Sequence, residues 1–379
     1  MRRGQAFASE NFGLYTGSIY LATLLGGLVA DRLLGARRTV VMCALMLSAG
    51  HLAMAFDGSF VIALGLLVLG TGLLKGNISA QVGALYPEAR DALRTRGFVI
   101  FSTWINIGAA LGPLLCGGLA HVYGWHTGFG SAAILMLVGL ATYLAGSRHY
   151  APEPPSRAHQ PRPSLTPAER HRCLVLVTIA LFSIPISASY NQIGNVSLLW
   201  IVAHCSLSTA WGTVPTAWFN SIDSIASIAC APVLLALFAT LERRRRAVGP
   251  LGQMVAGAVV IGLGWSLLAI AAALWPDARV SATWPIVALV LEGIGFMLYW
   301  PPLLALMSGH APQQARGLMM GITFVSLALA NYLAGWIGTF YEPLGPARFW
   351  ALNGWVSLVS IALFALAGPR LTRALAPPA

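Results

Sequence analysis

The sequence predicts an all-α integral membrane protein with eleven spanning helices, five before and six after a polar linker. Three observations lead there. Of 379 residues, 57% are hydrophobic and 9% charged, against about 25% charged in soluble domains. Mean hydropathy is +0.73. The apolar residues also come in runs long enough for spanning helices of about 20 residues, with the charges gathered between them. A soluble globular enzyme is excluded. The net charge of +11 is not that of a nucleic-acid binder, because the basic residues form short clusters between apolar runs, as in membrane-protein loops.

In chain order, the first five runs fall at 14–34, 38–56, 60–81, 97–120 and 127–146. A Pro-rich polar stretch follows at 147–170, containing "APEPPSRAHQPRPSLTPAER". Six more runs fall at 171–192, 214–240, 249–274, 283–308, 317–340 and 347–368, and the first of these continues as Ile193 to Ala203. The expected organisation is an N-terminal helical bundle (9–146), a linker (147–170) and a C-terminal bundle (171–368). Arginine sets the orientation. Arg32, Arg37, Arg38, Arg90, Arg94, Arg96, the five linker-region arginines, Arg243 to Arg246, Arg316, Arg370 and Arg373 all fall on one side. That side is read as cytoplasmic, with the linker and the C-terminus on it. Arg279 and Arg348 fall on the other, and so do Arg2 and Arg3, which are out of place there.

Residues that carry chemistry are few. Cys43, Cys116, Cys173, Cys205 and Cys230 form no CxxC pair and read as small buried hydrophobes. The eight histidines show no metal-ligand spacing beyond His121 and His126, and no P-loop pattern exists, so no metal, cofactor or ATP drive is expected. Lys75 is the only lysine beside 22 arginines, some fifteen residues into its apolar run. That depth argues against a side chain snorkelling from a helix end. A buried ammonium can lose its proton, whereas a guanidinium effectively cannot. Asp223 and Glu292 are acids inside later apolar runs; Asp223 reads as a cavity acid or a structural pair, and Glu292 as a cavity acid or an interface residue. Asp31, Arg32, Arg37 and Arg38 form a loop that reads as a cytoplasmic gate or as a topogenic signal. Asn77 and Asn106 read as interhelical hydrogen-bond formers or cavity residues. Trp104, Trp218 and Trp300 read as cavity or packing tryptophans. Gly26 and Gly27 permit close helix crossing.

The stretch "GSIYLATLLGGLVADRLLGARRTV" (17–40) resembles the loop between helices 2 and 3 of the major facilitator superfamily. "GTGLLKGNISAQVGALYPE" (70–88) and "GFVIFSTWINIGAALGPLLCGGL" (97–119) are similar to the signature region of the proton-dependent oligopeptide transporters, and "GWHTGFGSAA" (124–133) continues the match. "VPTAWFNSIDSIASIACAP" and "ARGLMMGITFVSLALANYLAG" resemble that family's helices 8 and 11. The resemblance covers residues 9 to 368. It implies the major facilitator fold and proton-driven uptake of di- and tripeptides by rocking of two bundles, with the gradient in place of a cofactor. Small peptides, protons and the lipid bilayer are then the partners, in the cytoplasmic membrane. Lys75 aligns with a lysine of proton coupling, and Asp223 is its candidate partner acid. Asn106, Asn191, Gln192, Glu292, Phe296 and Trp300 are the candidate cavity residues.

Departures from the family pattern accompany the matches. Its helix 7 usually carries Glu–Gln, where this chain has Asn191-Gln192; its helix 8 usually has an asparagine at the position of Asp223. In helix 10 a Gly–Glu pair usually stands five residues before a proline, where this chain has Gly295-Phe296 before Pro301, with Glu292 one turn earlier. The family's Glu-x-x-Glu-Arg-Phe-type motif of helix 1 does not occur. Together with the five-plus-six count, this reads as a chain lacking the family's first helix, through a misplaced start codon or a degenerate gene. Two alternatives stand beside peptide uptake: a non-transporting remnant, and a transporter of another small polar solute.

Overall fold

The computed structural model describes residues 2–85, 91–150, 165–209, 212–246, 248–312 and 315–375. Five helices come first: α1 (Arg2–Val29), α2 (Ala36–Ala53), α3 (Phe60–Ala84), α4 (Asp91–Tyr123) and α5 (Trp125–Ala145). The next span is built of three pieces, α6 (Pro167–Phe182), α7 (Ile184–Tyr190) and α8 (Val196–His204). Then come α9 (Ile222–Arg243), α10 (Pro250–Leu274), α11 (Thr283–Gly309), α12 (Arg316–Gly338), the short α13 (Tyr341–Leu344) and α14 (Pro346–Leu375). Among the described residues, nine helical segments are long and apolar enough to cross a membrane. The chain is a multi-pass membrane protein.

The described residues divide into two compact units, one of residues 18–161 and one of residues 1–17 with 162–379. In the first, small residues let helices approach. A Cβ on Gly26 of α1 would meet the Leu73 backbone of α3 at 2.9 Å, and one on Gly70 of α3 would meet Leu47 of α2 at 2.8 Å. Asn77 donates its amide to the Gly26 carbonyl at 3.0 Å, bridging α3 and α1. Without a hydrophobic drive between helices in lipid, close packing and such bonds hold the bundle.

The second unit packs around large aromatics. Trp200, Trp265, Trp350, Tyr299 and Phe349 are fully buried, and the Trp265 and Trp350 rings stack at 4.9 Å. Trp265 donates its indole N–H to the Ser189 carbonyl at 3.1 Å, and Ser189 donates to the Asn353 carbonyl at 2.9 Å. α1 begins at Arg2, twelve residues before the apolar run at 14–34. Its polar first half is kept helical by a glycine crossing with α12. A Cβ on Gly13 would lie 2.7 Å from the Gly335 Cα, and Gln5 donates to the Gly338 carbonyl at 3.0 Å.

The span read as 171–192 reaches His204 and is interrupted twice. Thr166 and Glu169 form a reciprocal cap at its start. Pro185, in the first turn of α7, has no N–H to continue the ladder of α6. Asn191–Ile193 then tightens into a 3₁₀ turn before Gly194. Irregular backbone at membrane depth is tolerated where protein covers it, and Gln192, Ile193 and Asn195 are all buried.

Beyond α8 a short parallel bridge pairs Cys205–Ser206 with Val280–Ser281, and Arg279 donates to the Cys205 carbonyl at 3.0 Å. The Cys205 thiol is fully buried, and burial pushes it up to about 12 despite the Arg279 charge. The thiolate is the reactive form. Maleimide at pH 8 should therefore leave Cys205 unlabelled in the folded protein and label it after denaturation; mass mapping of the modified peptide checks this.

Candidate functional site: buried carboxyls under an aromatic wall

Asp223 sits in the first turn of α9 and is 8% exposed. Tyr190, at the end of α7, donates its hydroxyl to Asp223 Oδ2 at 2.7 Å. The interruption of the span at Asn191 sets where that tyrosine ends its helix. Glu292 on α11 is fully buried, and neither carboxyl oxygen has a hydrogen-bond partner among the described residues. Two glycines make room for this arrangement. A Cβ on Gly264 of α10 would come within 2.7 Å of Glu292 Oε1, and Gly293, next to Glu292, packs directly on the Asp223 backbone carbonyl. The two acids therefore flank one α9–α11 crossing. An ionised carboxylate in an apolar interior costs several kcal/mol unless paired, and like charges sharing such a site disfavour joint ionisation.

Above it stands an aromatic wall. Phe296 stacks on Tyr190 at 5.0 Å and on Trp300 at 6.3 Å, and Tyr299 meets both Tyr190 and Phe296 edge-on. Asn191 donates its side-chain amide to the Ser187 carbonyl of its own helix at 2.7 Å. Gln192 is fully buried and donates to the Ala334 carbonyl of α12 at 2.9 Å, while its oxygen accepts from Asn195 at 3.2 Å. Gln192 thus ties the broken span to α12. Tyr190, the partner of Asp223, is absent from the residues that sequence reasoning singled out. The available signal was a phenol inside an apolar run, which needs a partner when buried.

In the unit of residues 18–161, Lys75 is half-buried on α3 and its ammonium lies over the Tyr20 ring, 4.2 Å from the centroid. Asn106 is half-buried on α4. Ala30–Leu34, which contains Asp31 and Arg32, is a π-helical turn closed by Gly35 at φ 79°, where only glycine is unstrained. The side chains of Asp31 and Arg32 lie outside the described residues. Arg37 donates to the Tyr150 carbonyl at 3.1 Å and its guanidinium lies over the Tyr150 ring at 5.6 Å. Arg38 is exposed.

Comparison with known proteins agrees with this architecture. The Major Facilitator Superfamily model matches residues 5–335. The peptide transporter YePEPT of Yersinia enterocolitica is 31% identical, over 87% of this chain and 79% of its own. A di-/tripeptide transporter of Lactococcus lactis subsp. cremoris is 24% identical, over 94% of this chain and 84% of its own. A mutant of the peptide transporter POT in complex with alafosfalin superposes with a TM-score of 0.87 at 25% identity, covering 97% of this chain and 87% of the other. A POT family transporter in complex with 5-aminolevulinic acid gives a TM-score of 0.88 at 21% identity, over 97% and 88%. The chain belongs to the major facilitator superfamily and, within it, to the proton-dependent oligopeptide transporter (POT) family.

Proposed function

We propose that this protein is a secondary transporter that takes up di- and tripeptides with protons across the cytoplasmic membrane by alternating access. Its relatives are transporters, and those from Yersinia enterocolitica and Lactococcus lactis are named for peptides. The observation that carries the reading is the Tyr190–Asp223 hydrogen bond beside the Glu292 carboxyl, which has no hydrogen-bond partner among the described residues, with both acids inside apolar spans. Lys75 and Asp223 are assigned to proton coupling. Asn106, Asn191, Glu292, Phe296 and Trp300 are assigned to the substrate cavity, with Gln192 holding the broken span behind them. Asp31, Arg32, Arg37 and Arg38 are assigned to the cytoplasmic gate.

The test is counterflow in proteoliposomes loaded with unlabelled dipeptide. Labelled dipeptide should enter, and dipeptides and tripeptides should compete while free amino acids and sugars do not. Competition by amino acids alone would overturn the peptide assignment. A second reading, another small polar solute, is favoured by one residue. Phe296 stands in the aromatic stack where the family usually has an acid for the peptide's amino terminus.

Orientation carries its own expectation. With the native cysteines replaced, a cysteine introduced at Ser164 should react with an impermeant maleimide only after the cells are opened. Reaction in intact cells would place the linker outside.

A further inference from the structure

In the unit of residues 1–17 and 162–379, a cavity of about 240 Å³ lies where α8 and α10 end and α14 begins. Its body is apolar, formed by Ala272, Val280 and Leu344 with Trp275, which is 39% exposed. Polar groups come from α14. That helix starts at Pro346, and Phe349 donates to the Gly345 carbonyl at 3.0 Å as its ladder opens. The N–H groups of Ala347 and Arg348 precede that bond and, like the first N–H groups of any helix, have no acceptor within it. Glycine at the cap position supplies no side-chain acceptor. Ala347 and Arg348 both line the cavity, and the Arg348 side chain is exposed.

The wall carries an unmet donor of its own. Trp200 is fully buried and lines the cavity, and its indole N–H has no acceptor among the described residues, whereas a buried indole N–H usually finds one. His204 does not supply it. Its ring stacks on Trp200 at 5.8 Å with the planes 16° apart, out of the plane in which the indole donates, and its Nδ1 lies 3.2 Å from the Trp200 carbonyl. No carboxylate is among the lining residues. Glu342 and Asp277, the acids nearest in sequence, are exposed, and the backbone and indole donors are fixed whatever charge surrounds them.

We propose that this cavity binds a small monocarboxylate with an apolar ring, its oxygens at the start of α14 and its ring against Trp275. A helix N-terminus favours an anion through its free N–H groups and its dipole. Two backbone N–H groups and one guanidinium match the two oxygens of a carboxylate. The occupant also brings the Trp200 wall the acceptor it lacks. Inorganic phosphate would find the same donors but gain nothing from the apolar body. The volume falls below the roughly 300–1,000 Å³ of drug-sized sites, so one ring fits and a lipid chain does not.

The experiment is titration calorimetry of the full chain in detergent with 3-phenylpropionate, against 3-phenylpropionamide and inorganic phosphate. The carboxylate should bind saturably, and neither the amide nor phosphate should compete with it. Arg348→Gln, an exposed change, should weaken binding about tenfold. Ala347→Trp, which fills the cavity and keeps the charge, should remove it. Both variants should keep the wild-type melting temperature and dipeptide counterflow. A saturating dipeptide should not displace the carboxylate, which separates this site from the peptide reading. Equal binding of the amide, wild-type affinity in both variants, competition by phosphate or displacement by dipeptide would each overturn the proposal.

Discussion

Lys75→Arg should abolish uphill accumulation of dipeptide while counterflow survives. The substitution keeps a cation and a long side chain, so substrate exchange through the carrier continues. A guanidinium stays protonated at any pH the protein meets, so the variant cannot pass a proton. The size of the effect follows from the driving force. One pH unit supplies about 1.4 kcal/mol per coupled proton, or about tenfold accumulation. Wild-type protein under a one-unit gradient should reach a ratio near that value for each proton it couples, and Lys75→Arg should stay near unity. The position of the ammonium over Tyr20, 4.2 Å from the ring centroid, also makes a geometric difference. A planar guanidinium stacks on such a ring more readily than an ammonium, which adds to the immobilisation of the variant. Normal accumulation by Lys75→Arg would remove Lys75 from the coupling role.

Asp223→Asn should be the second large effect. The asparagine oxygen still accepts from Tyr190, so the 2.7 Å bond is replaced by a neutral one and the fold is kept. What disappears is the acid of the cluster that is hydrogen-bonded among the described residues. Uphill accumulation should fall toward the value of Lys75→Arg, counterflow should persist, and the melting temperature should move by only a few degrees. Tyr190→Phe separates structure from coupling in the opposite direction. It leaves the carboxyl in place and removes its donor, which costs about 1.5–3 kcal/mol for a bond to a charged group. Asp223→Asn accumulating dipeptide as wild type does would show that this acid carries no proton in the cycle.

Spans were legible in the sequence because helix length and hydropathy are set by the bilayer rather than by neighbours. The α10 run at 249–274 and the α11 run at 283–308 match their helices to within a residue. Three features were not legible, each for a tertiary reason. The first half of α1 is polar, and its helix stands on the Gly13–Gly335 crossing with a segment more than three hundred residues away. The run at 171–192 visibly continues as Ile193 to Ala203, but how its polar residues are accommodated does not show in the sequence, because Gln192 and Asn195 are buried by bonds to the Ala334 carbonyl of a distant helix. Glu292 was open to either a cavity or an interface reading. Its surroundings depend on Gly264, a position on another helix that no periodicity within α11 connects to it. Asp223 was legible as an acid inside a span, but its partner was not, since Tyr190 lies 33 residues earlier on a helix whose end the sequence did not fix.

Proton-driven peptide accumulation is the central claim, and one measurement tests it most directly. Purified protein is reconstituted in liposomes, a pH gradient is imposed with the acid side outside, and labelled dipeptide is followed with and without a protonophore. The account predicts internal dipeptide rising above the external concentration, about tenfold per pH unit for each coupled proton, and collapsing to equality when the protonophore is added. Uptake that stops at equality under the gradient, or that is unchanged by the protonophore, would contradict it.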